Sequence, residues 1–544
     1  LQGVPIVNHP SRLIHCWPLF QAIALACTST LTGAPPRQAD KPYRVILNCD
    51  GHSVFADANG DVAAYVDNVF APLVDSHVDA LFWNDGAGGN TANYDSRVLE
   101  RTGRRSGNVD VTLDRWIREG NDPPEIIVRE GHRRGIDVFY SLRVNDIHDS
   151  FLPNEFASFK AKHPEWLLGV AKIKAPGDRH VLTPEVPDDV YSSEFLSSLN
   201  FAIPEVRDLK VRTIRDVAER YDFDGIELDL MRFPRLFRAF LEFRNAAVLT
   251  DFVRTVRQTL RERGDQRGRP FKLAVRVDEN LVACRLDGFD VRTWVDEGLI
   301  DLLIVGDYAF PEGRDVRDFD RLTRDTSVQL YVCVAHPNKM IGGKTFLQGD
   351  SSSVLRGLAA NYWHNGADGV YLFNWFPHTK SYQRSLLRQV GDRQQLVSLD
   401  KIFPADCSEY GPGLTRKGPS SPRYHNWLFA TLPVALHPVQ QKESLTLIPV
   451  DVADRGDGAG TKPALRLWLE FKNLVPGDRV AFQINGHQLP PTDSPDNNGL
   501  LRFTLSSRQL KVGRNQVGVR LVERSQAADA PLLLTAVEIH VDYP

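Results

Sequence analysis

Two carboxylic acids stand two residues apart in the segment 223–233, FDGIELDLMRF. Because side chains alternate along a β-strand, Glu227 and Asp229 would share one face, with Asp229 nearer the strand end. Paired carboxylates suit the cleavage of a glycosidic bond, since one group protonates the leaving oxygen and the other attacks the anomeric carbon or activates water. We expect Asp229 to be the nucleophile or base, held ionised by Arg232 and Glu227. A purely structural Asp–Arg pair is the alternative interpretation.

The partner acid has three candidates, Asp278, Glu279 and Asp307. Asp278 shares a strand face with Arg276. Asp307 follows the apolar run 302–305, where partial burial would raise the pKa of a carboxyl group as an acid requires. Asp278 and Asp307 rank level, and Glu279 ranks behind them.

Polar and aromatic side chains also stand at the ends of other apolar runs. We expect them to bind substrate, with polar groups on sugar hydroxyls and aromatic rings on the C–H faces of sugars. These candidates are Glu227, Arg232, Arg143, Asn145, Asp146, His148, Asp50, His52, Trp83, Asn84, Tyr308, His336, Asn374 and Trp375. Core packing competes as an explanation for the aromatic residues, and structural ion pairing competes for the arginines.

Four histidines, His52, His148, His336 and His378, follow strand-like runs and invite a metal-dependent hydrolase as an alternative. The first run lacks the His-x-His pair that amidohydrolase barrels use. Hydrogen bonding to sugar hydroxyls is the better use of these residues. We therefore predict no metal site and no cofactor.

The elements that must position these residues alternate between strand-like runs and amphipathic helical segments over residues 41–392. Such alternation predicts a parallel sheet, and eight runs predict a (β/α)8 TIM barrel, whose active site lies at the carboxyl ends of the strands. A doubly wound sheet is the alternative, but no glycine-rich phosphate loop follows the first run. The runs are 43–50, 78–85, 135–146, 223–233, 271–280, 300–310, 328–336 and 368–376.

The segments outside the barrel have different patterns. Residues 1–40 place a charge before an apolar stretch and then small residues, which predicts a signal peptide and leader, with a weak lipoprotein anchor at Cys27. A buried N-terminal helix is the alternative. Residues 393–424 are rich in Pro, Gly and Ser and predict a linker or wrapping loop. Residues 425–544 contain short strands without helices, which predict a β-sandwich.

Composition excludes several classes of protein. The 544 residues contain 65 Lys and Arg against 69 Asp and Glu, a formal net charge of -4, which argues against a nucleic-acid partner. The sequence contains no stretch of about 20 apolar residues that would predict a membrane span. The six cysteines form no C-x-x-C pair, which disfavours structural zinc and a dense disulfide framework.

The segment 222–234, DFDGIELDLMRFP, resembles the D-x-DGI-x-x-D-x-x-R-x-P signature of the family 10-like glycosyl hydrolases. The segments 140–149, YSLRVNDIHD, and 160–166, KAKHPEW, are also similar to barrels of this group. The resemblance covers residues 41–392 and implies a TIM-barrel glycosidase.

The same segment also resembles the retaining α-glycosidase barrels, whose nucleophilic Asp ends strand four. By this resemblance Asp229 matches the nucleophile, and the acid would come from strand five or six. Leu230 and Met231 depart from the pattern where related sequences often carry a Tyr, which puts one substrate contact in doubt.

These observations predict a secreted or periplasmic glycoside hydrolase that acts on a polysaccharide or oligosaccharide, with a retaining mechanism. The arginines near strand ends would suit an acidic or sulfated glycan. A non-catalytic glycan-binding barrel and a metal-dependent hydrolase or deacetylase are the alternatives.

Overall fold

The computed structural model describes residues 42–150, 152, 155–172, 181–183, 193–306, 315–334, 351–406, 431–438, 445–456, 460, 462–490 and 499–544. Pro42–Pro544 is one compact unit. The predicted site residues Asp307, Tyr308 and His336 lie outside the described residues, as do the predicted leader 1–40 and residues 407–424 of the predicted linker. No helix in the described ranges is long and apolar enough to cross a membrane.

Eight parallel strands close into a barrel, which confirms the predicted TIM-barrel architecture. Each predicted run contains one strand, and the last strand pairs with the first through Val45 and Val370. The strands are β1 Val45–Asp50, β2 Val78–Asn84, β3 Asp137–Arg143, β4 Gly225–Asp229, β5 Lys272–Val277, β6 Leu302–Val305, β7 Gln329–Val334 and β8 Gly369–Leu372.

Helices surround the barrel and begin where local sequence favours a helix start. Asp61 caps the helix Val62–Phe70 by accepting hydrogen bonds from two backbone amides, and Pro204 occupies the first turn of the helix Pro204–Arg220. The helices are α1 Gly51–Asp57, α2 Val62–Phe70, α3 Val111–Arg118, α4 Pro123–His132, α5 Ser158–Lys162, α6 Pro204–Arg220, α7 Ala246–Arg267, α8 Leu281–Leu286, α9 Val291–Asp296, α10 Val316–Thr323, α11 Ser351–His364, α12 Ser381–Leu387 and α13 Arg393–Leu396.

The barrel interior changes character along the strands. Its lower part is packed with rings, among them Phe82 and Phe139, which stack at 4.3 Å between ring centroids. Gly225 faces this layer, and a Cβ atom there would lie 2.2 Å from the Phe139 ring. The next inward positions of β4 are Glu227 and Asp229, so the upper part of the interior is polar.

The chain beyond the barrel contains two antiparallel sheets, ordered β9-β17-β12-β15, with β10 also paired to β17, and β11-β16-β13-β14. Phe482 of the second sheet contacts Phe471 and Phe503 of the first. The strands are β9 Lys401–Pro404, β10 Val434–Leu436, β11 Thr446–Val452, β12 Ala464–Lys472, β13 Arg479–Ile484, β14 His487–Gln488, β15 Leu500–Leu505, β16 Gly513–Glu523 and β17 Leu532–Asp542.

The predicted linker 393–424 needs correction where it is described. Its first part contains α13 and the strand β9, which pairs with β17 from Lys401 opposite Val541 to Pro404 opposite Glu538. The four residues of β9 are buried, so this segment is an edge strand of the sheet. Short apolar runs between polar stretches do not stand out by composition, which is why the sequence pattern missed it.

Candidate active site

Asp229 ends β4 inside the barrel and is held by four hydrogen bonds. Arg276 of β5 donates from Nε to Oδ1 at 3.0 Å and from Nη2 to Oδ2 at 2.9 Å. The backbone amides of Met231 and Arg232 both donate to Oδ1 at 3.0 Å. A forked guanidinium and two amides fix the orientation of the carboxylate.

Glu227 lies one inward position below Asp229 and is fully buried. Ser141 donates to its Oε2 at 2.5 Å, and Tyr371 donates to its Oε1 at 2.8 Å. Burial, followed by the negative charge of Asp229, raises the pKa of Glu227 to about 8. Sequence analysis predicted that Glu227 would bind substrate directly. The structure places it beneath Asp229, with both carboxylate oxygens bonded to side chains of neighbouring strands.

Sequence analysis did not single out Ser141, Tyr371 or Asn48. Asn48 of β1 donates from Nδ2 to Ser141 Oγ at 3.2 Å, so one network through Glu227 joins four strands. Each residue stands between apolar or aromatic neighbours in its strand and is buried on the inward face. Strand parity could have identified them, because a lone polar group inside a barrel needs a partner there.

Arg143 at the end of β3 connects two carboxylates. Its Nη2 donates to Asp50 Oδ2 at 2.8 Å, and its Nη1 lies 3.7 Å from Asp146 Oδ2. Burial opposes the ionisation of Asp50, but the charge of Arg143 outweighs it and lowers the pKa of Asp50. The Asp50 side chain also caps α1 through the amide of Ser53. The arginine is therefore engaged within the protein.

A chain of three polar side chains runs from Asp146 to Arg232. His148 Nδ1 lies 2.6 Å from Asp146 Oδ1, and Arg232 Nη2 lies 2.9 Å from His148 Nε2. Burial would raise the pKa of Asp146, but the hydrogen bond from His148 and the charge of Arg143 hold it well below its usual range. Because Arg232 can only donate, Nε2 must accept and Nδ1 must carry the proton.

Asp278 and Glu279 directly follow β5 and are both fully buried. Because side chains alternate along a strand, Asp278 lies on the same face as Arg276, which points into the barrel. It stands one inward position nearer the mouth. Glu279 has the parity of Val277, which packs in the core between barrel and helices. The alternation of side chains therefore places Asp278 on the inward face and Glu279 on the outward face.

Two of the predicted aromatic contacts do not face the barrel interior. Trp83 packs in the core between barrel and helices, and its Nε1 donates to Tyr65 Oη at 2.9 Å. Trp375 belongs to the same core and is also fully buried. This placement corrects their expected role as platforms for a sugar ring. Trp83 stands between the inward positions 82 and 84 of its strand, so the alternation of side chains turns it outward. Trp375 has the parity of the inward Phe373, but it lies beyond the strand end and after the left-handed turn at Asn374, where the alternation no longer applies.

The remaining predicted residues are two asparagines that bond to backbone carbonyl groups, the exposed His52, and Asn374. Asn145 donates to the carbonyl groups of Leu199 and Arg235 at 2.9 and 2.7 Å, and Asn84 donates to the carbonyl of Ser141 at 2.6 Å. The Asn145 amide therefore joins two other segments of the chain, and the Asn84 amide links β2 to β3. His52 is exposed on α1, and Asn374 has a left-handed backbone with φ of 55°.

A glycine-rich loop follows β2 and packs tightly against the end of β3. Lys210 of α6 is fully buried beneath it and donates to the carbonyl of Gly89 and to Asn90 Oδ1. Burial, followed by the charge of Lys160, lowers the pKa of Lys210 to about 7. A Cβ atom at Gly88 would lie 2.3 Å from Asp146 Cγ, so the loop supports the Asp146 carboxylate.

The described part of the chain contains no group of three or more His, Cys, Asp or Glu side chains arranged to hold a metal ion. His148 is engaged with Asp146 and Arg232. His378 pairs with Asp57 at 2.8 Å. These two histidines are therefore occupied by partners within the protein.

No family model matches the chain. A stretch of 150 residues is 27% identical to Glycosyl hydrolase DigH of Escherichia coli K12, with the same identity to the proteins of that name in Escherichia coli O157:H7 and Shigella flexneri. The match covers 26% of this chain and 28% of each relative. The chain therefore spans under a third of the length of the curated relatives it matches.

Solved structures of glycoside hydrolases are distantly similar. The glycoside hydrolase domain of PgaB (BpsB) from Bordetella bronchiseptica is 11% identical with a TM-score of 0.41, over 64% of this chain and 99% of that domain. The α-L-fucosidase isoenzyme 2 from Paenibacillus thiaminolyticus is 15% identical with a TM-score of 0.38, over 65% of this chain and 48% of that protein. The closed barrel of eight parallel strands makes the chain a TIM-barrel protein with additional antiparallel sheets. A stretch of 150 residues is similar to a glycosyl hydrolase.

Proposed function

We propose that this protein is a retaining glycoside hydrolase that cleaves a polysaccharide or oligosaccharide at the carboxyl face of its barrel. The observation that carries the proposal is Asp229, which ends β4 inside the barrel with its carboxylate fixed by Arg276 and two backbone amides. The partial match to DigH supports the same class of reaction.

Asp229 is the proposed nucleophile, and its two oxygens differ in their surroundings. Oδ1 accepts three of the hydrogen bonds, whereas Oδ2 accepts one, from Arg276 Nη2. Because Oδ2 accepts fewer hydrogen bonds than Oδ1, it is the oxygen proposed to attack the anomeric carbon. The bond to the leaving oxygen breaks as the glycosyl ester forms, and water then hydrolyses the ester.

Asp278 is the proposed acid and base. Asp229 pairs with Arg276 across neighbouring strands, so Asp278 is the diagonal neighbour of Asp229 on the inward face. A strand spacing of about 4.8 Å and a rise of about 3.3 Å per residue place their Cα atoms about 8 Å apart. Side chains that converge from this distance can reach the carboxyl separation of about 5–5.5 Å that a retaining mechanism needs. Asp307 remains the alternative acid.

His148 and Arg232 are the proposed contacts for sugar hydroxyls, because their polar chain lies in the loops that follow β3 and β4. His148 is only partly buried, with 28% of its side chain exposed. A sugar hydroxyl can accept from the Arg232 guanidinium, which His148 orients through Nε2. The arginine also allows for an acidic sugar.

The antiparallel sheets, proposed to form a sandwich, brace the barrel. Asn361 of α11 donates to the carbonyl of Asp451 at 2.8 Å and accepts from the amide of Ala453 at 2.9 Å. Two backbone hydrogen bonds from one buried amide fix the sheet against the barrel. We further propose export from the cytoplasm, on the charge and apolar pattern of residues 1–40.

The test incubates wild type and Asp229→Asn with soluble plant, algal and host polysaccharides. It measures new reducing ends and the size of the products. Asp208→Asn, an exposed change on α6, is the matched control. We expect one polysaccharide to be cut by wild type and control, with the same activity in EDTA, and not by a folded Asp229→Asn. Binding without cleavage by wild type would support a non-catalytic barrel, and loss of activity in EDTA would support a metal-dependent hydrolase.

A further inference from the structure

Large apolar side chains are exposed on two segments that follow the strands of the catalytic carboxylates. Phe240 and Phe243 stand in the loop after β4 with 75% and 61% of their surfaces exposed. Val282 and Leu286 are exposed on α8, which follows β5. The rim patch consists of Phe240, Leu241, Phe243, Val282 and Leu286. An exposed apolar cluster of this kind marks a place where the protein meets another molecule.

The two segments form one surface because buried charges join them. Arg235 Nη1 lies 3.3 Å from Asp287 Oδ1 and 3.6 Å from Glu242 Oε1. Gly288 approaches the carbonyl of Glu242 so closely that a Cβ atom there would lie 2.6 Å from it. The Arg285 guanidinium lies 5.4 Å from the centre of the Phe243 ring, so α8 and the loop contact each other directly.

Phe240 has a backbone conformation that an aromatic residue rarely adopts. Its φ of 64° lies in the left-handed region, where the Cβ atom crowds the backbone. Burial of the ring does not compensate for this strain, since the ring is exposed. Backbone strain that is not compensated by burial of the side chain is characteristic of binding sites.

The rim patch is continuous with the candidate active site along the chain. The loop that carries Phe240 begins directly after Asp229 and also contains Arg232. Helix α8 begins three residues after Asp278, and Asn280 caps it by accepting from the amides of Val282 and Ala283 at 3.1 and 2.8 Å. Both segments therefore start at the carboxylates and end at the patch.

We propose that the rim patch binds a glycan chain that extends out of the active site, with the rings of Phe240 and Phe243 against the C–H faces of its sugars. Arg285 donates to sugar hydroxyls beside them. The natural substrate is thus a polymer that is held several sugars away from the cleaved bond. This inference rests on the proposed function for the path of the chain, and the direct connection of both segments to the candidate active site favours a glycan over a lipid surface or a second copy.

The experiment uses the full chain and the double variant Phe240→Ala, Phe243→Ala. Leu447→Ala removes an exposed apolar residue on β11, far along the chain, and is the matched control. Affinity electrophoresis measures retardation in gels that contain xyloglucan, pectic galactan, laminarin, alginate or chondroitin sulfate. We expect wild type and control to be retarded by at least one of them, with a Kd that rises about tenfold in the double variant. Phe240→Tyr with Phe243→Tyr keeps both rings and restores retardation.

Hydrolysis separates this inference from the proposed function. On a polysaccharide that wild type cuts, we expect the double variant to raise KM about tenfold with little change in kcat. Equal retardation and equal KM in the double variant would overturn the rim patch and leave the glycosidase intact. Loss of retardation in the double variant, with no polysaccharide cut by wild type, would support the patch and defeat the glycosidase.

Three other outcomes overturn the rim patch as a glycan site. No retardation of wild type by any of the five polysaccharides is the first. Sedimentation of wild type, but not of the double variant, with phosphatidylserine vesicles would assign the patch to a lipid surface. A wild-type dimer that the double variant converts to a monomer in solution would assign it to a second copy of the chain.

Discussion

Arg276 and Asp229 face each other on neighbouring strands and share two hydrogen bonds, at 3.0 and 2.9 Å, with both side chains fully buried. Phe373 packs against the guanidinium, 4.0 Å from its carbon, and the carbonyl of Gly306 accepts from Nη1 at 3.3 Å. Water cannot replace either partner at this depth, so the two charges depend on each other. The position of the proposed nucleophile is therefore set by an arginine on the next strand.

Replacement of Arg276 by Lys should abolish hydrolysis and destabilise the protein. Lysine keeps the charge but loses the planar fork, so Asp229 loses one of its two bonds from the side chain and is free to shift. We expect the free energy of unfolding to fall by about 3 kcal/mol and kcat to fall by at least about 100-fold. Urea denaturation and reducing-end assays measure the two quantities.

Arg254→Lys on α7 is the matched control for Arg276→Lys. Arg254 is exposed and pairs with Glu297 and Asp251 on the surface, where water screens the charges. The control should leave both stability and activity unchanged. Full activity in Arg276→Lys would show that the fork does not position the nucleophile.

Glu227 should make the protein less stable as pH rises. Its pKa is raised to about 8 in the folded protein, whereas an unfolded Glu titrates near 4.5. Between these values the folded state binds more protons than the unfolded state, so the stabilisation is complete below pH 4.5 and is lost as pH rises through 8. Glu227→Gln removes this titration. Relative to the variant, wild type should lose stability between pH 5 and pH 8.

The measurement is urea unfolding of both proteins at pH 5, 6.5 and 8, with exposed Glu219→Gln as control. Taking the difference between wild type and variant removes the titration of all other groups. A difference that stays constant with pH, as in the control, would show that Glu227 is ionised like an ordinary carboxylate.

The barrel and its main acidic residues could be predicted from sequence because both depend on local periodicity. Each strand is a short apolar run with a polar end, and both features can be recognised in the sequence without knowing which strands pair. Parity within one strand likewise placed Glu227 and Asp229 on the same face. Eight such runs favour a sheet that closes into a barrel, and the structure confirms the closed barrel.

The missed features depend on which face of a strand points inward and on contacts distant in sequence. Trp83 follows a strand as a sugar platform would, but its parity turns it toward Tyr65 and the helices. Ser141 and Tyr371 are 86 and 144 residues from Glu227, and nothing local marks them as its partners. Spacing along the chain does not encode these pairings until the barrel is closed.

Gly225→Ala should overpack the lower barrel. The added methyl group would lie 2.2 Å from the Phe139 ring and 2.7 Å from the carbonyl of Lys272. We expect a loss of about 3 kcal/mol in the free energy of unfolding. Phe139→Leu alone creates space at its own cost, and added to Gly225→Ala it should relieve the ring contact but not the backbone contact.

A double-mutant cycle of Gly225→Ala and Phe139→Leu, measured by urea unfolding, tests this packing. The combined loss should be smaller than the sum of the single losses by at least about 0.5 kcal/mol. Strict additivity would mean that the methyl group at position 225 does not meet the ring.

Lys210 should give a pH dependence of opposite sign to that of Glu227. Its pKa is lowered to about 7 in the folded protein from 10.5, so the unfolded state binds more protons between these values. The stabilisation from neutral Lys210 is complete above pH 10.5 and is lost as pH falls through 7. Relative to Lys210→Met, wild type should therefore gain stability from pH 7 to pH 9, by at most about 1.4 kcal/mol per pH unit.

Lys472→Met on β12 is the matched control, since Lys472 is exposed at the end of its strand. Its stability should follow that of wild type over the same range, by urea unfolding at pH 7, 8 and 9. Lys210→Met should also loosen the loop that Gly89 and Asn90 form against β3, because both lose their donor. Faster amide exchange in that loop, without change elsewhere in the barrel, would connect the buried lysine to the loop that supports Asp146. A wild-type stability that runs parallel to that of Lys210→Met from pH 7 to pH 9 would instead mean that Lys210 stays charged in the folded protein.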